Sequence, residues 1–449
     1  MSMYNIALSG VNANRTALNV TAQNVANANT EGYSRQQVMQ SSVVDTAGVG
    51  GVEISSIRRV ADEFIISQLR SSNTALGNSS YSAESLGQLE QIIGFDGFNI
   101  STGISEFFAG ISEATSAPES TALRQQVLAD AQSLSERFNG LSNALLDQSA
   151  QIFSDRETTL SNANGLLENI ATSSQAIIES NASGRDTALL EDERDQMLSE
   201  LSKMLKVNVN KEADGSLQVS MANGQPLLIN SLAAKLTTTP LISDPYQADI
   251  EVTFNGSVFP VATDLGGELG AMQTSQQNDI SPMLSALNDM AETIADEVNN
   301  ALATGTDFNG VNPGQALFSY EPNNLTVIAL SANELAFSSD GNLGDGGVLD
   351  DILAISKTDY PISGLGSVTL SSAFSALTGK VAMDSRQAQT SLESHKGLFD
   401  QIQSSRDSVS AVNSDEEAAN LMIYANAYEA NMKVISTANQ MFNTLLSAF

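Results

Sequence analysis

The stretch DEEAANLMIYANAYEANMKVISTANQMFNTLLSAF, residues 415–449, decides how the chain is built. Leu421, Tyr428, Ile435, Phe442 and Phe449 recur every seven residues, and Ala425, Met432 and Leu446 fill neighbouring positions of the same stripe. A heptad sustained over this length predicts a long amphipathic helix that needs a partner helix beside it. Residues 3–28 offer a matching stripe: Tyr4, Val11, Leu18 and Val25, with Leu8 and Ala22 alongside. Chain ends fray unless something holds them down. Two apolar-striped ends are therefore expected to pack on each other or on other copies, with the rest of the chain inserted between them. An ordinary helical bundle whose first and last helices pair would leave the same pattern.

The 449 residues are enough for roughly two to four domains. With 20 Lys and Arg against 52 Asp and Glu, the net charge of −32 argues against nucleic acid and anionic membrane as main partners. There is no cysteine and no tryptophan, and His395 is the single histidine. Disulfide and thiol chemistry are excluded. No apolar run reaches the length of a membrane span, so no membrane insertion is expected. No basic segment followed by an apolar core opens the chain, so no cleavable leader is expected.

The first helix ends in Asn27-Ala28-Asn29-Thr30-Glu31-Gly32, residues that suit a helix C-terminus. Residues 33–40 read as extended; Gly48, Gly50 and Gly51 mark a turn before a strand at 52–57. Helical period returns at 61–93, and a loop at 94–103 precedes a short helix at 104–114. A very long helix follows from Pro118 to about Asn181, and another spans 186–205. The pattern then alternates, with turns at Ala213-Asp214-Gly215, Asn223-Gly224 and Asn255-Gly256. A heptad returns at Ile280, Leu287, Ile294 and Ala301. Residues 305–375 are Gly-, Asn- and Ser-rich with strand-like pieces, 374–412 is helical, and Ser414 is placed to cap the last helix.

The predicted fold is mainly α with an inserted β module, in a nested multidomain layout. Residues 1–35 with 413–449 form a terminal coiled-coil core. Residues 36–206 with 268–304 and 374–412 form a helical bundle. Residues 207–267 with 305–373 form an outer β-rich domain.

Chemistry is sparse. One histidine cannot support a catalytic constellation, and His395 is placed on an exposed helix face. Asp307-Phe308-Asn309-Gly310 starts like a calcium loop, but Phe318 stands where the twelfth, acidic ligand belongs, so a turn is expected. The run Glu191-Asp192-Glu193 reads as a solvated helix face. No catalytic, metal or cofactor site is expected.

Three stretches carry a resemblance. Residues 3–10 with 24–36, including Asn27, Asn29, Thr30, Gly32, Tyr33 and Arg35, resemble the N-terminal motif of bacterial flagellar axial proteins. Glu416 to Leu421, Ala427 to Asn431 and Val434 to Phe442 resemble their C-terminal motif. Gly32-Tyr33-Ser34-Arg35-Gln36, Arg58 to Phe64 with Gln68-Leu69-Arg70, Leu189 to Leu201, and Met221 to Gly224 narrow it to the first hook-associated protein family. The likeness weakens at 305–375, and the chain is short for that family.

The resemblance implies a structural subunit of the hook–filament junction, exported without a cleavable signal and ending outside the cell. It implies as partners other copies in a ring-like assembly, the hook protein, the second junction protein (hook-associated protein 3) and an export chaperone. Under this reading Tyr4, Leu8, Val11, Leu18, Val25, Leu421, Tyr428, Met432, Ile435, Phe442, Leu445 and Phe449 form the assembly interface. Asn14 and Asn431 interrupt the seams and would fix register. A hook or distal rod protein shares the same ends, although such chains are mostly β between them. A cytoplasmic coiled-coil scaffold is the alternative from another class, and an enzyme would need a polar cleft in the β module.

Overall fold

The computed structural model describes residues 2–44, 50–212, 214–241, 244–261 and 265–447; Gly48, Ala213 and Phe449 lie outside them. Helix α1 (Ser2–Ala26) leads into a hairpin of β1 (Gln36–Val44) and β2 (Gly50–Arg59). Four helices follow: α2 (Glu63–Ile93), α3 (Ile100–Ala114), α4 (Thr121–Ala182) and α5 (Ala188–Met204). Strands β3 (Val207–Lys211), β4 (Leu217–Met221), β5 (Pro226–Ile229) and β6 (Leu232–Ala233) form one antiparallel sheet in that order. Strands β7 (Lys235–Leu241), β8 (Asp244–Phe254) and β9 (Ser257–Pro260) form a second.

Helix α6 (Gly267–Thr274) passes through a π-helical segment, Ser275–Ile280, into α7 (Ser281–Ala303). Two small hairpins, β10 (Phe318–Glu321) with β11 (Asn324–Val327) and β12 (Tyr360–Ile362) with β13 (Gly366–Val368), flank α8 (Gly347–Ile355). The chain closes with α9 (Leu370–Ser410) and α10 (Ser414–Ser447). The molecule is mainly helical with small inserted sheets.

Local chemistry sets the helix starts. Asp62 caps α2, its Oδ1 accepting from Phe64 N at 2.9 Å. Asn99 caps α3 by accepting from Thr102 N at 3.1 Å, so α3 begins at Ile100 rather than 104. Asn413, not Ser414, caps α10: its Oδ1 accepts from Asp415 N at 3.0 Å. Helix α8 falls inside a Gly-rich region read as irregular; Val348, Leu349, Ile352 and Ile355 are its buried stripe.

Helix α4 is the spine. Its 62 residues give a length of about 93 Å at 1.5 Å per residue. Leu134, Leu141, Leu145, Leu167, Ile170 and Ile177 are all fully buried along it, each contributing about 1.5–3 kcal/mol by burial. Two helical asparagines key strands to this spine. Asn139 accepts from Leu325 N and donates to Leu325 O, both at 2.8 Å. Asn164 does the same with Leu236, again at 2.8 Å each way. An amide side chain here replaces a neighbouring strand, satisfying both backbone groups of an edge. Hairpins β10–β11 and β12–β13 and helix α8 pack on α3, α4 and α7, whereas β7 and β8 reach α4. Helix α2 lies against α9, α6 and α5, and α1 lies against α10 and the β1–β2 hairpin.

Candidate functional site

The motif at the end of α1 folds into a hub where both chain ends meet the helical layer. Asn27 N donates to Gln23 O at 3.0 Å, and Thr30 N to Asn27 O at 2.9 Å, closing the helix. Gly32 then adopts φ +81°, which only glycine takes without strain. That reversal sends Tyr33 inward. Its hydroxyl donates to Asn24 Oδ1 at 2.8 Å, and Asn24 also accepts from Gln36 N and donates to Gln36 O, both at 2.9 Å. Asn24 on α1 thus keys strand β1 as Asn139 and Asn164 key theirs. Burial, then the Asp192 and Glu417 carboxylates, push the Tyr33 phenol up to about 12. It stays a protonated donor at neutral pH.

The next residues tie the hub to distant segments. Ser34 N donates to Asp192 Oδ2 at 2.9 Å. Arg35 N donates to Ser410 O at 2.8 Å, and its guanidinium meets Glu416 at 2.8 Å. Arg406 donates to Gly32 O at 2.6 Å. Arg59, at the end of β2, bridges Asp195 at 2.5 Å, Asp192 at 3.0 Å and Glu191 at 3.2 Å, and reaches Glu63 at 3.6 Å. Burial pulls the Arg59 pKa down, but Asp195, Glu191 and Asp192 outweigh it and the net shift is upward. Burial raises the Asp192 carboxyl against the pull of Ser34 and Arg59. Glu191 is lowered: burial raises it, but Lys211 and Arg59 prevail.

This corrects the reading of Glu191-Asp192-Glu193 as a solvated face. Glu193 is exposed, but Asp192 is buried and Glu191 half-buried in the Arg59 cluster. The sequence hid this because Arg59 lies 133 positions from Asp192.

Helices α1 and α10 run antiparallel, with Arg35 at Glu416 near one end and Gly10 against Asn431 further along. A Cβ on Gly10 would sit 2.8 Å from Asn431 Nδ2. The α1 face that is buried, between α10 and the hairpin, is made of small residues: Ala7, Gly10, Val11, Ala13, Ala17 and Val20. Of the expected seam, Val11 is buried and Leu18 half-buried, while Tyr4, Leu8 and Val25 are exposed. On α10, Leu421, Tyr428 and Ile435 are half-buried, and Met432, Phe442 and Leu445 are exposed.

The buried α1 face therefore takes in Val11 and part of Leu18 from the expected seam together with the small residues beside them. Heptad spacing shows which residues share a face, not which face meets the neighbour, and small residues allow the closer helix approach. In this antiparallel register α10 continues past the start of α1. Its last two turns carry Met441 at 52 %, Phe442 at 61 %, Leu445 at 61 % and Leu446 at 62 % exposure. Of the other motif residues, Asn29 is exposed, Asn27 half-buried, and Thr30 donates to Asn27 Oδ1 at 3.3 Å.

His395 is half-buried rather than exposed, and lines a cavity between α2, β3 and α9. Asp307 closes a turn by accepting from Asn309 N at 3.1 Å, Val311 N at 3.1 Å and Asn312 Nδ2 at 2.7 Å. Among the described residues no group of three or more His, Cys, Asp or Glu is placed to hold a metal ion, and no helix is long and apolar enough to cross a membrane.

The model of the flagellar hook-associated protein FlgK helical domain matches residues 86–318, over half of the chain. The chain belongs to the FlgK family. Its ends match two further models: flagella basal body rod protein over residues 5–33, and flagellar basal body rod FlgEFG protein C-terminal over 403–448. Flagellar hook-associated protein 1 of Escherichia coli is 24 % identical, with 99 % of each chain covered. The Bacillus subtilis protein of that name is 23 % identical over 97 % of this chain and 96 % of its own. The Escherichia coli alignment runs to 549 positions against 449 residues here, so gaps in this chain stand opposite segments of that relative. The flagellar hook junction protein FlgK of Burkholderia pseudomallei has the same fold: TM-score 0.65 at 14 % identity, covering 76 % of this chain and all of that one.

Gly10, Asn24 and Asp192 lie inside the stretches that carry the resemblance, but the contacts that give them their place here, with Asn431, Gln36 and Ser34, are not written in the local sequence. Arg406 lies 374 positions from Gly32 and carries no local signal.

Proposed function

We propose that this chain is a structural, non-enzymatic subunit of the bacterial flagellum that assembles at the distal end of the hook and forms the hook–filament junction. Family membership supports this, and one structural observation carries it: α10 overhangs α1 with Met441, Phe442, Leu445 and Leu446 exposed. A contiguous apolar helix end of this kind is costly in water and marks a surface to be covered. We assign the cover to other copies of the chain in a ring-like assembly. Tyr4, Leu8, Val25 and Met432, also exposed, extend the same interface.

In this reading residues 1–35 with 413–449 form the assembling core, the helices from 36 to 206 with 268–304 and 374–412 form the layer around it, and the β-rich parts at 207–267 and 305–373 face outward. The partners are the hook protein on one side and the second junction protein, hook-associated protein 3, on the other. An export chaperone holds the C-terminal helix before secretion through the flagellar type III apparatus, without cleavage of a leader. The mature location is extracellular, in the flagellum.

Rod-protein matches at both ends favour a second reading, a hook or distal rod subunit. Electron microscopy of a deletion strain separates them. The junction reading expects hooks of normal length without filaments, filament protein lost to the medium, and the wild-type protein present in sheared flagella. Absence of hooks favours the second reading, and normal filaments refute both.

A further inference from the structure

The chain contains five Asn-Gly pairs, beginning at Asn139, Asn164, Asn223, Asn255 and Asn309. An asparagine followed by glycine can lose its side-chain amide without an enzyme. The next backbone nitrogen attacks the side-chain carbon Cγ, and glycine hinders that approach least because it has no side chain. The nitrogen and Cγ must come within attack distance, so a hydrogen bond that holds either group elsewhere slows the reaction. Four of the five pairs are held. Asn139 and Asn164 lie within α4, where the Gly140 and Gly165 N–H groups belong to the helix ladder, and both side-chain amides are clamped to strand backbone at 2.8 Å. Asn223 accepts from Gln225 N at 3.1 Å and donates to Gln225 Oε1 at 3.2 Å, and Gly224 N donates to Met221 O at 3.0 Å. Asn309 is exposed, but Gly310 N donates to Asp307 O at 2.9 Å, and Asp307 Oδ1 pins the Asn309, Val311 and Asn312 N–H groups at 3.1, 3.1 and 3.3 Å.

Asn255 differs from all of these. With Gly256 it forms the two-residue turn between β8 and β9, closed by Phe254 opposite Ser257. Both turn residues are exposed. Among the described residues the Asn255 side chain makes no hydrogen bond, and the Gly256 N–H has no acceptor. Beyond its chain neighbours, no heavy atom lies within 4 Å of where a Cβ on Gly256 would stand. The turn sits at the end of this sheet away from Leu241, Asp244 and Val261, where the described stretches stop. Every residue of β9 is exposed, so the hairpin end can open locally without disturbing the core.

We propose that Asn255 is a site of spontaneous deamidation, and the first of the five pairs to convert in the folded protein. The bond from Gly256 N to Asn255 Cγ forms, the Cγ–Nδ2 bond breaks, and ammonia leaves with the proton from Gly256 N. Water then opens the resulting cyclic imide at either carbonyl, giving aspartate or, with the backbone rerouted through the side chain, isoaspartate. Each conversion consumes one water, releases one ammonia and leaves one added negative charge, with no oxidation or reduction. Isoaspartate lengthens the turn by one backbone atom. Turn length sets the register of a hairpin, so this product loosens β9.

The test incubates the full chain in neutral buffer made with heavy-oxygen water, which labels only the conversions that occur during incubation. Peptides around the five pairs are followed by mass spectrometry, with aspartate and isoaspartate separated by elution. Asn255 is expected to convert about tenfold faster than the other four. In the urea-unfolded chain the five rates should converge to within about threefold, because the structure that held four of them is gone. Gly256→Asn keeps a residue that accepts the left-handed turn but crowds the nitrogen, and should slow conversion at Asn255 about tenfold. Conversion at Asn255 no faster than at Asn223 or Asn309 in the folded chain overturns the proposal. So does an Asn255 that stays intact in the folded chain while the unfolded chain converts. Conversion at the parental rate in Gly256→Asn overturns the attack by the Gly256 nitrogen.

Discussion

Gly10 of α1 and Asn431 of α10 meet so closely that a Cβ on the glycine would lie within 2.9 Å of three atoms of the asparagine side chain. Asn431 is itself tethered, donating from Nδ2 to Ala427 O at 2.9 Å. The pair sets how near the two terminal helices approach. Gly10→Leu is expected to push α10 away and open the ends while the interior stays folded. Limited proteolysis checks this, with faster cleavage within residues 2–26 and 414–447 and an unchanged main thermal transition. Gly10→Ala should be milder, because a side chain can shift where a backbone cannot.

Arg59→Met removes the cation from Asp192, Asp195 and Glu191 while keeping the apolar stem. Asp192 then remains buried with Ser34, through its backbone N–H and its side chain, to satisfy it among the described residues. Breaking a buried pair by deleting one partner costs about 3–5 kcal/mol. Chemical denaturation of Arg59→Met should show a loss of that size. Arg59→Lys keeps the charge but not the planar fork that spans several carboxylates, and is expected to fall between the two.

Asn164→Asp tests the amide clamp. The substitution keeps the shape and the acceptor for Leu236 N but turns the donor to Leu236 O into a second acceptor. Two oxygens then face each other, and a loss of about 1–3 kcal/mol is expected. Thermal unfolding at pH 7.5 reads it. Recovery at a pH low enough to protonate the aspartate would attribute the loss to the missing donor.

Burial pushes Asp279, in the π-helical segment, up to about 6, with Lys380 opposing and Asp384 adding. Its ordinary value is 3.8. Between those limits the native state keeps a proton that the unfolded chain releases. Stability therefore falls as pH rises from about 4 to about 6 and is flat above. Asp279→Asn removes this dependence. It is expected to be about 1–2 kcal/mol more stable than the parent at pH 7.5, allowing for partial exposure, and no more stable at pH 4.

Phe442 is 61 % exposed on the overhanging end of α10. Phe442→Asp should leave monomer stability within about 0.5 kcal/mol and yet abolish assembly on the hook in a complementation test. Normal filaments in that strain would remove α10 from the interface.

Much of the fold was legible because it is written locally. The terminal helices, the 62-residue α4 and the turns at Asn223-Gly224 and Asn255-Gly256 each carry their own periodicity or backbone signal. Asn255 at φ 48° and Gly256 at φ 80° form the left-handed turn their types announce. What escaped the sequence is non-local. Nothing near Glu191-Asp192-Glu193 announces Arg59, and nothing near Gly10 announces Asn431. The exposed Tyr4, Leu8 and Val25 show why: apolar spacing alone does not distinguish a face packed within the subunit from one left for another chain.

The hub has a kinetic consequence. Arg35 and Glu416 are 381 positions apart, so the terminal pair closes over nearly the whole chain. Closing such a loop in an unfolded chain costs about 5 kcal/mol of entropy, which neither end can offset until the other has been synthesised or delivered. The interior, from α2 to α9, holds its own core and can form first, shortening the effective loop. The order this topology leads one to expect is a stable body first and then, once Glu416 can reach Arg35, the closure of the ends that completes the subunit.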